Sequence, residues 1–315
     1  MTYDVVVVGG GAAGLNAASV LAQARRRVLV IDAGTPRNAP AARMRGYLSR
    51  EGANPAELLR TGREEVRSYG GEVMEETVTG VGRDGEEFLV EFEGRAGVRA
   101  RRLLVATGLR DELPPVPGLA ERWGRDVLHC PYCHGHEVRD EPIAVLGTDE
   151  EGPEHALMLR QWSDDVTLLQ QVPIGDEDRR RLDARDVSVV EGPVTELVVE
   201  NDRLTGVRVT GRDVVPVAAM FVTPGSTAND DLLIALGCEM DENGWVRTDP
   251  DGLTSVPGVW AAGNVAHDTA HVITAAGNGL VTAIAVNADL VEADVRAALA
   301  ARAAAPAEQG GRRAS

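Results

Sequence analysis

The densest chemistry in the chain is one stretch, His129-Cys130-Pro131-Tyr132-Cys133-His134-Gly135-His136. Two thiols at this spacing can close a small disulfide, and a neighbouring imidazole can lower a thiol pKa and shuttle protons. Three readings are open. A redox dithiol is favoured. A zinc half-site is the second, because Cys-x-x-Cys with adjacent His offers soft ligands, but no second distant pair completes a tetrahedron. Two inert buried cysteines is the blandest. The third thiol, Cys238, has no evident partner and reads as a core residue. The chain has no lysine, which removes lysine Schiff-base chemistry.

A second constellation opens the chain. Gly9-x-Gly11-x-x-Gly14 follows the apolar run Val5–Val8 and precedes a helix-like stretch, and Asp32 ends the next apolar run. Such glycines permit a tight turn and let backbone N–H groups approach a pyrophosphate at a helix N-terminus. The Asp32 carboxylate is placed to take both hydrogens of a ribose diol. A third motif pairs the small-residue turn Ala261-Ala262-Gly263-Asn264 with His271-Val272-Ile273-Thr274-Ala275-Ala276-Gly277 at the start of another helix. Close helix packing explains those small residues equally well.

The elements that must hold these motifs follow from the hydrophobic pattern. Strand 3–8, helix 15–25 and strand 28–31 make a β-α-β start, and a weaker repeat begins at Ile143–Leu146, with a helix near 153–163 and a strand at 166–169. Helix 55–69 and strands within 72–105 lie between, and Pro114–Gly118 is a linker. Strand-like segments recur from 187 to 222, and 272–295 reads as one long helix. The 315 residues carry 43% hydrophobic and 26% charged residues, a globular balance. A net charge of −17 disfavours nucleic acid and anionic membranes as partners. The apolar runs are strand-sized and no basic leader precedes them, so a cytoplasmic protein without a membrane-spanning segment is expected.

The three motifs, in this order, resemble the low-molecular-weight thioredoxin reductase family of flavoproteins over residues 3 to about 295. The resemblance implies an α/β fold of two Rossmann-like three-layer domains. A discontinuous FAD domain (1–112 and 241–304) surrounds an inserted NAD(P)H-type domain (113–240) that carries the dithiol, and a disordered tail covers 305–315. It also implies a homodimer and large interdomain rotation. By position, Gly9, Gly11, Ala12, Ala13, Gly14, Asp32, Ala33 and Asn38 would hold the ADP half of FAD, with Val78, Ala106, Thr107 and Gly108 packed against it. Gly263 and Asn264 would meet the ribityl chain and pyrophosphate, and His271 and Val272 would face the flavin. Cys130 would be the interchange thiol and Cys133 the flavin-facing one.

Three departures qualify the resemblance. Asn264 stands where the family usually has Asp. The inserted domain's nucleotide loop reads Gly147-Thr148-Asp149-Glu150-Glu151-Gly152, with three carboxylates where a pyrophosphate would lie, and Leu169-Gln170-Gln171 replaces the basic cluster that grips a 2′-phosphate. NADPH binding is therefore not carried over. Finally, His134 and His136 follow the second Cys, where thioredoxin reductases have an Asp. That arrangement looks like the family's dithiol oxidases, which close disulfides in natural products such as gliotoxin and holomycin and use O2 to reoxidise FAD. The leading expectation is thus an FAD-dependent oxidase of a small-molecule dithiol, with His134 or His136 as base and no metal. An NAD(P)H-dependent reductase of a thioredoxin-like protein is the alternative, and a non-catalytic flavin-binding redox switch is a reading from another class.

Overall fold

The computed structural model describes residues 2–304, so the tail expected over 305–315 lies outside the described residues. The chain opens with β1 (Thr2–Val8), α1 (Ala12–Gln23) and β2 (Val28–Asp32). After α2 (Pro55–Ser68) and β3 (Glu72–Glu75), β4 (Val78–Asp84), β5 (Glu87–Phe92) and β6 (Arg95–Val105) form an antiparallel meander whose last strand returns parallel to β1. The order is β3-β2-β1-β6-β5-β4. Val5–Val8 are all buried because β1 has a strand on each side and covered faces above and below. A strand in that position needs no polar alternation, which is why its sequence is a solid apolar run.

β7 (Leu109–Glu112) leaves this sheet, and a second, wholly parallel sheet follows. Its elements are α3 (Leu119–Arg122), β8 (Val127–Leu128), α4 (Pro131–His134), β9 (Ile143–Gly147), α5 (Gly152–Leu159), β10 (Val166–Gln170), α6 (Asp176–Asp183) and β11 (Ser188–Glu191). An antiparallel excursion of β12 (Val194–Glu200), β13 (Arg203–Val209) and β14 (Val215–Pro216) precedes β15 (Ala219–Val222), which completes the order β11-β10-β9-β15-β8. β16 (Gly225–Ala228) pairs antiparallel with β7, so the outgoing and returning connections form one two-stranded ribbon. The chain then adds α7 (Asp231–Ala235), sets β17 (Val259–Ala261) beside β6, and ends in α8 (Val272–Ala304).

α1 begins three residues earlier than the apolar pattern suggests, because its first turn is built of Gly and Ala, which carry no periodic signal. α8 runs past 295 for the related reason that its alanine-rich end favours helix without presenting an apolar stripe. α8 has 33 residues and is long and apolar enough to cross a bilayer, which corrects the reading of the apolar runs as strand-sized. Its Ala276, Gly279, Ala283, Val286 and Leu290 are nevertheless buried within the protein, several of them in the core that also holds Leu21 of α1 and Val30 of β2.

The turn after β1 explains two of its glycines. A Cβ on Gly9, whose φ is +107°, would sit 2.2 Å from the Ala106 carbonyl oxygen, and one on Gly14 would sit 1.9 Å from that of Gly9. Only glycine permits β1, β6 and α1 to converge this closely. Gly14→Ala should therefore destabilise the fold by about 1–3 kcal/mol through overpacking. Denaturant unfolding of the two proteins measures the difference, and equal midpoints would mean α1 can move off β1 freely.

Candidate active site

A cavity of about 1430 Å³ is lined by the ends of the first sheet, the start of α1, the dithiol segment and the start of α8. This exceeds the roughly 300–1,000 Å³ of a typical small-ligand pocket. Gly11 caps α1 with extended backbone, and a Cβ there would meet nothing within 4 Å, so the turn is open on its cavity side. The first turn of α1 has no acidic residue to satisfy its positive end. An anionic group is what such a helix start accommodates.

Asp32 lies at the tip of β2. Its Oδ2 accepts from Arg63 at 2.7 Å, while Oδ1 has only a long 3.4 Å bond from the Gly34 N–H. Arg63 thus orients the carboxylate and leaves Oδ1 available to accept from a hydroxyl group. Ala12, Ala13, Ala33, Asn38, Val78, Ala106, Thr107 and Gly108 line the same cavity, as do Gly263, Asn264, His271 and Val272. Gly14 does not; its work is the close packing already described.

Asn264 explains its own departure from the family pattern. Its Nδ2 donates to the carbonyls of His267, Asp268 and Ala270, at 2.9, 3.1 and 3.1 Å. The loop entering α8 therefore gathers three acceptors around one side chain, and only a donor can satisfy them. A carboxylate there would face three carbonyl oxygens.

Cys130 is the residue before α4, and its Sγ accepts from the Cys133 N–H at 3.2 Å. Both thiols are free and half-buried. Donation from the Cys133 thiol, against the opposing effect of burial, brings Cys130 down to about 7, with the Cys133 and Tyr132 N–H groups and Arg37 helping. The same hydrogen bond and burial push Cys133 up. Arg37, which sequence reasoning missed, is held by Asp111 through bonds of 2.9 and 2.6 Å. It sits in an irregular loop, and no spacing rule connects it to the dithiol.

The imidazole beside the dithiol is His271, with Nδ1 3.7 Å from Cys133 Sγ. His134 lines the cavity but its Nδ1 faces Glu137 at 3.9 Å, and burial lowers its pKa. His136 is exposed and lies outside this cavity, against Arg43, Arg45 and Arg139. His129, also on the cavity wall, bonds the Val222 carbonyl through Nδ1 at 3.1 Å, and burial lowers its pKa. His155, on the far wall, packs edge-on against Phe221, and burial pushes it down to about 4. Cys238 is buried, its thiol donating to Thr254 Oγ1 at 3.5 Å.

The loop after β9 keeps a nucleotide-type turn but fills it from within. Gly152 packs against Gly147, a Cβ on it falling 2.9 Å from the Gly147 Cα. The Asp149 Oδ1 accepts the Glu151 N–H at 2.9 Å, and Glu151 and Glu154 reach the cavity wall. Gln171 ties the end of β10 to the β11–β12 connection by donating to the Gly192 carbonyl and accepting the Val194 N–H. Arg179, Arg180 and Arg181 are each paired with acids, namely Glu191, Glu177 and Glu154.

Two Rossmann-like units, a glycine turn with an acid at the end of the next strand, and a dithiol opposite them define a flavin-dependent disulfide oxidoreductase. Residues 3–279 match the pyridine nucleotide-disulphide oxidoreductase family, and the chain belongs to it. The crystal structure of HlmI is similar, 54% identical with 96% of each chain covered and a TM-score of 0.93. So is the thioredoxin reductase sirT of Leptosphaeria maculans, 28% identical over 94% of this chain and 96% of its own length. The thioredoxin reductase of Listeria innocua is 27% identical, with 88% and 90% covered. The family binds FAD, and the glycine turn, the oriented Asp32 and the cavity of this chain fit that group.

Asn264→Asp should lower the unfolding temperature and loosen FAD retention, since it replaces an amide donor shared among three carbonyls by a carboxylate that repels them, at about 0.5–1.5 kcal/mol. Thermal unfolding followed by flavin fluorescence checks this, and an unchanged transition would assign the bonds no weight.

Proposed function

We propose that this enzyme is an FAD-dependent oxidase of a small-molecule dithiol, forming a disulfide at the expense of O2 with release of H2O2. The observation that carries the reading is the self-filled loop after β9. Its Asp149 carboxylate already takes a backbone N–H that a dinucleotide phosphate would use. Two carboxylates in contact cost about 1 kcal/mol at 4 Å in water and about 4 kcal/mol near a protein surface, so Asp149, Glu150 and Glu151 together oppose a pyrophosphate. The nearby arginines are committed to acids and do not compensate.

In this reading residues 1–112 and 241–304 form the FAD-binding unit, and 113–240 form the unit bearing the dithiol. A substrate thiolate attacks Cys130 Sγ of the Cys130–Cys133 disulfide, breaking the S–S bond and releasing Cys133 as thiolate. The second substrate thiolate attacks the sulfur joined to Cys130, closes the product disulfide and releases Cys130 as thiolate. Cys130, the more acidic thiol, suits the role of leaving group. FAD supplies a two-electron acceptor that O2 reoxidises, so the net change is dithiol plus O2 to disulfide plus H2O2. Arg37 favours thiolate at the pair, and His271 lies within reach of the released Cys133 sulfur. Of the two bases expected from the sequence, His134 lines the cavity and His136 does not, which favours His134 for the substrate proton.

Anaerobic mixing tests the proposal. A small dithiol should bleach the flavin, whereas NADPH should bind about a thousandfold more weakly than in an enzyme with an open phosphate loop, some 4 kcal/mol at about 1.4 kcal/mol per tenfold. Cys130→Ser and Cys133→Ser should each abolish bleaching while keeping FAD. Brisk reduction at micromolar NADPH would favour the reductase reading, to which the names of the curated relatives point.

The assembly proposed is a homodimer through α8. Ile273, Leu280, Ile284, Val291 and Val295 are exposed at spacings of seven and four, forming one apolar stripe on a helix whose other face is buried. Ile284→Glu should shift the protein to monomer in analytical ultracentrifugation. A dimer that survives this change would place the interface elsewhere.

A further inference from the structure

We infer that the reduced dithiol and His271 form a binding site for a thiophilic divalent cation of the Zn2+ type, and that the cation holds the enzyme in its reduced form. One ligand atom from each of Cys130, Cys133 and His271 lies within 4.8 Å of the others. The Cys133 Sγ to His271 Nδ1 separation is 3.7 Å. A tetrahedron with Zn–S arms of about 2.3 Å has edges of about 3.8 Å, so the Cys133–His271 pair already stands at an edge length and all three atoms lie within about 1 Å of one. The sequence offered two thiols without a distant partner. The partner is a single imidazole at the start of α8, brought to the dithiol by the tertiary fold.

Ligand type and charge agree with the geometry. Two thiolates neutralise a divalent cation, and thiolate with imidazole is the donor set that Zn2+ prefers. All three residues line the cavity, so a cation can reach them beside the flavin, and water or a substrate thiol can complete the shell. Binding releases two thiol protons to solvent and makes two metal–sulfur bonds; no electron moves. The disulfide form offers no thiolate and therefore no site. The cation consequently competes with closure of the Cys130–Cys133 bond, whichever molecule supplies or removes the electrons. The ligands come from the start of α4 and from the residue before α8, so bound metal also ties the dithiol segment to the chain entering α8.

Co2+ is the probe, because tetrahedral cobalt–thiolate bands lie to the red of flavin absorption. The FAD-loaded enzyme is reduced anaerobically with a phosphine, desalted and titrated with Co2+, then with Zn2+ in competition. About one Co2+ per chain should bind with a tetrahedral spectrum, and Zn2+ should displace it. The disulfide form should give no such spectrum. His271→Ala should weaken binding at least about tenfold, since even outer-shell changes cost about 10–100-fold. Cys130→Ser and Cys133→Ser should abolish it, and Cys238→Ser should leave it unchanged. Flavin absorbance of each variant as purified, before reduction, certifies that it is folded. Zn2+ should stop turnover of the parent, and a chelator should restore it. The inference is overturned if the reduced enzyme shows no tetrahedral spectrum. It is equally overturned if a flavin-retaining His271→Ala protein binds as tightly as the parent, or if Cys238→Ser removes the signal.

Discussion

Two absent side chains allow three backbone segments to approach more closely than any substituted residue permits. Gly9 lies against the Ala106 carbonyl at the end of β6, and Gly14 of α1 lies against the carbonyl of Gly9. This convergence aims the uncapped start of α1 into the cavity and seats α1 on the central strands. α8 packs against α1 in turn, again through a glycine, since a Cβ on Gly279 would fall 2.1 Å from the Ala13 carbonyl oxygen. The position of His271, one residue before α8, therefore depends on contacts made at the other end of the chain. A dithiol carried by one sheet meets an imidazole carried by the other only because that stack is tight.

Electrostatics separates the two Rossmann-like halves. The first presents an open helix start with no acid in its first turn. The second begins its corresponding helix behind Asp149, Glu150 and Glu151, and one of those carboxylates already occupies a backbone donor. The same architecture thus presents a helix start free of acids in one unit and a helix start behind three carboxylates in the other. The distinction comes from which side chains surround the turn, while the Gly147–Gly152 contact preserves the turn itself.

Polar side chains near the cavity often serve the scaffold. Asn264 gathers three carbonyls, Gln171 ties a strand to its neighbouring loop, and the β7–β16 ribbon is locked at its end by paired bonds between Thr107 and Asn229. Each such bond contributes about 0.5–1.5 kcal/mol net. Residue types that look like losses of function in sequence are therefore explained here by what the local backbone demands.

The glycine turn, Asp32, the dithiol and the acid-filled second loop were legible in the sequence because each is local. A turn, a strand end or a Cys-x-x-Cys pair is specified within a few residues, and the elements around it follow from hydrophobic spacing. Helix ends built of alanine and glycine were less legible, since such residues carry no apolar period. The imidazole that would meet the dithiol was not legible. His134 and His136 are adjacent to Cys133 in the chain, yet His134 faces Glu137 and His136 lies outside the main cavity, while His271 is within contact distance. Arg37 and Arg63 were hidden for the same reason. Proximity across long sequence separations is set by the packing of α1, α8 and the two sheets, and no residue spacing encodes that packing directly.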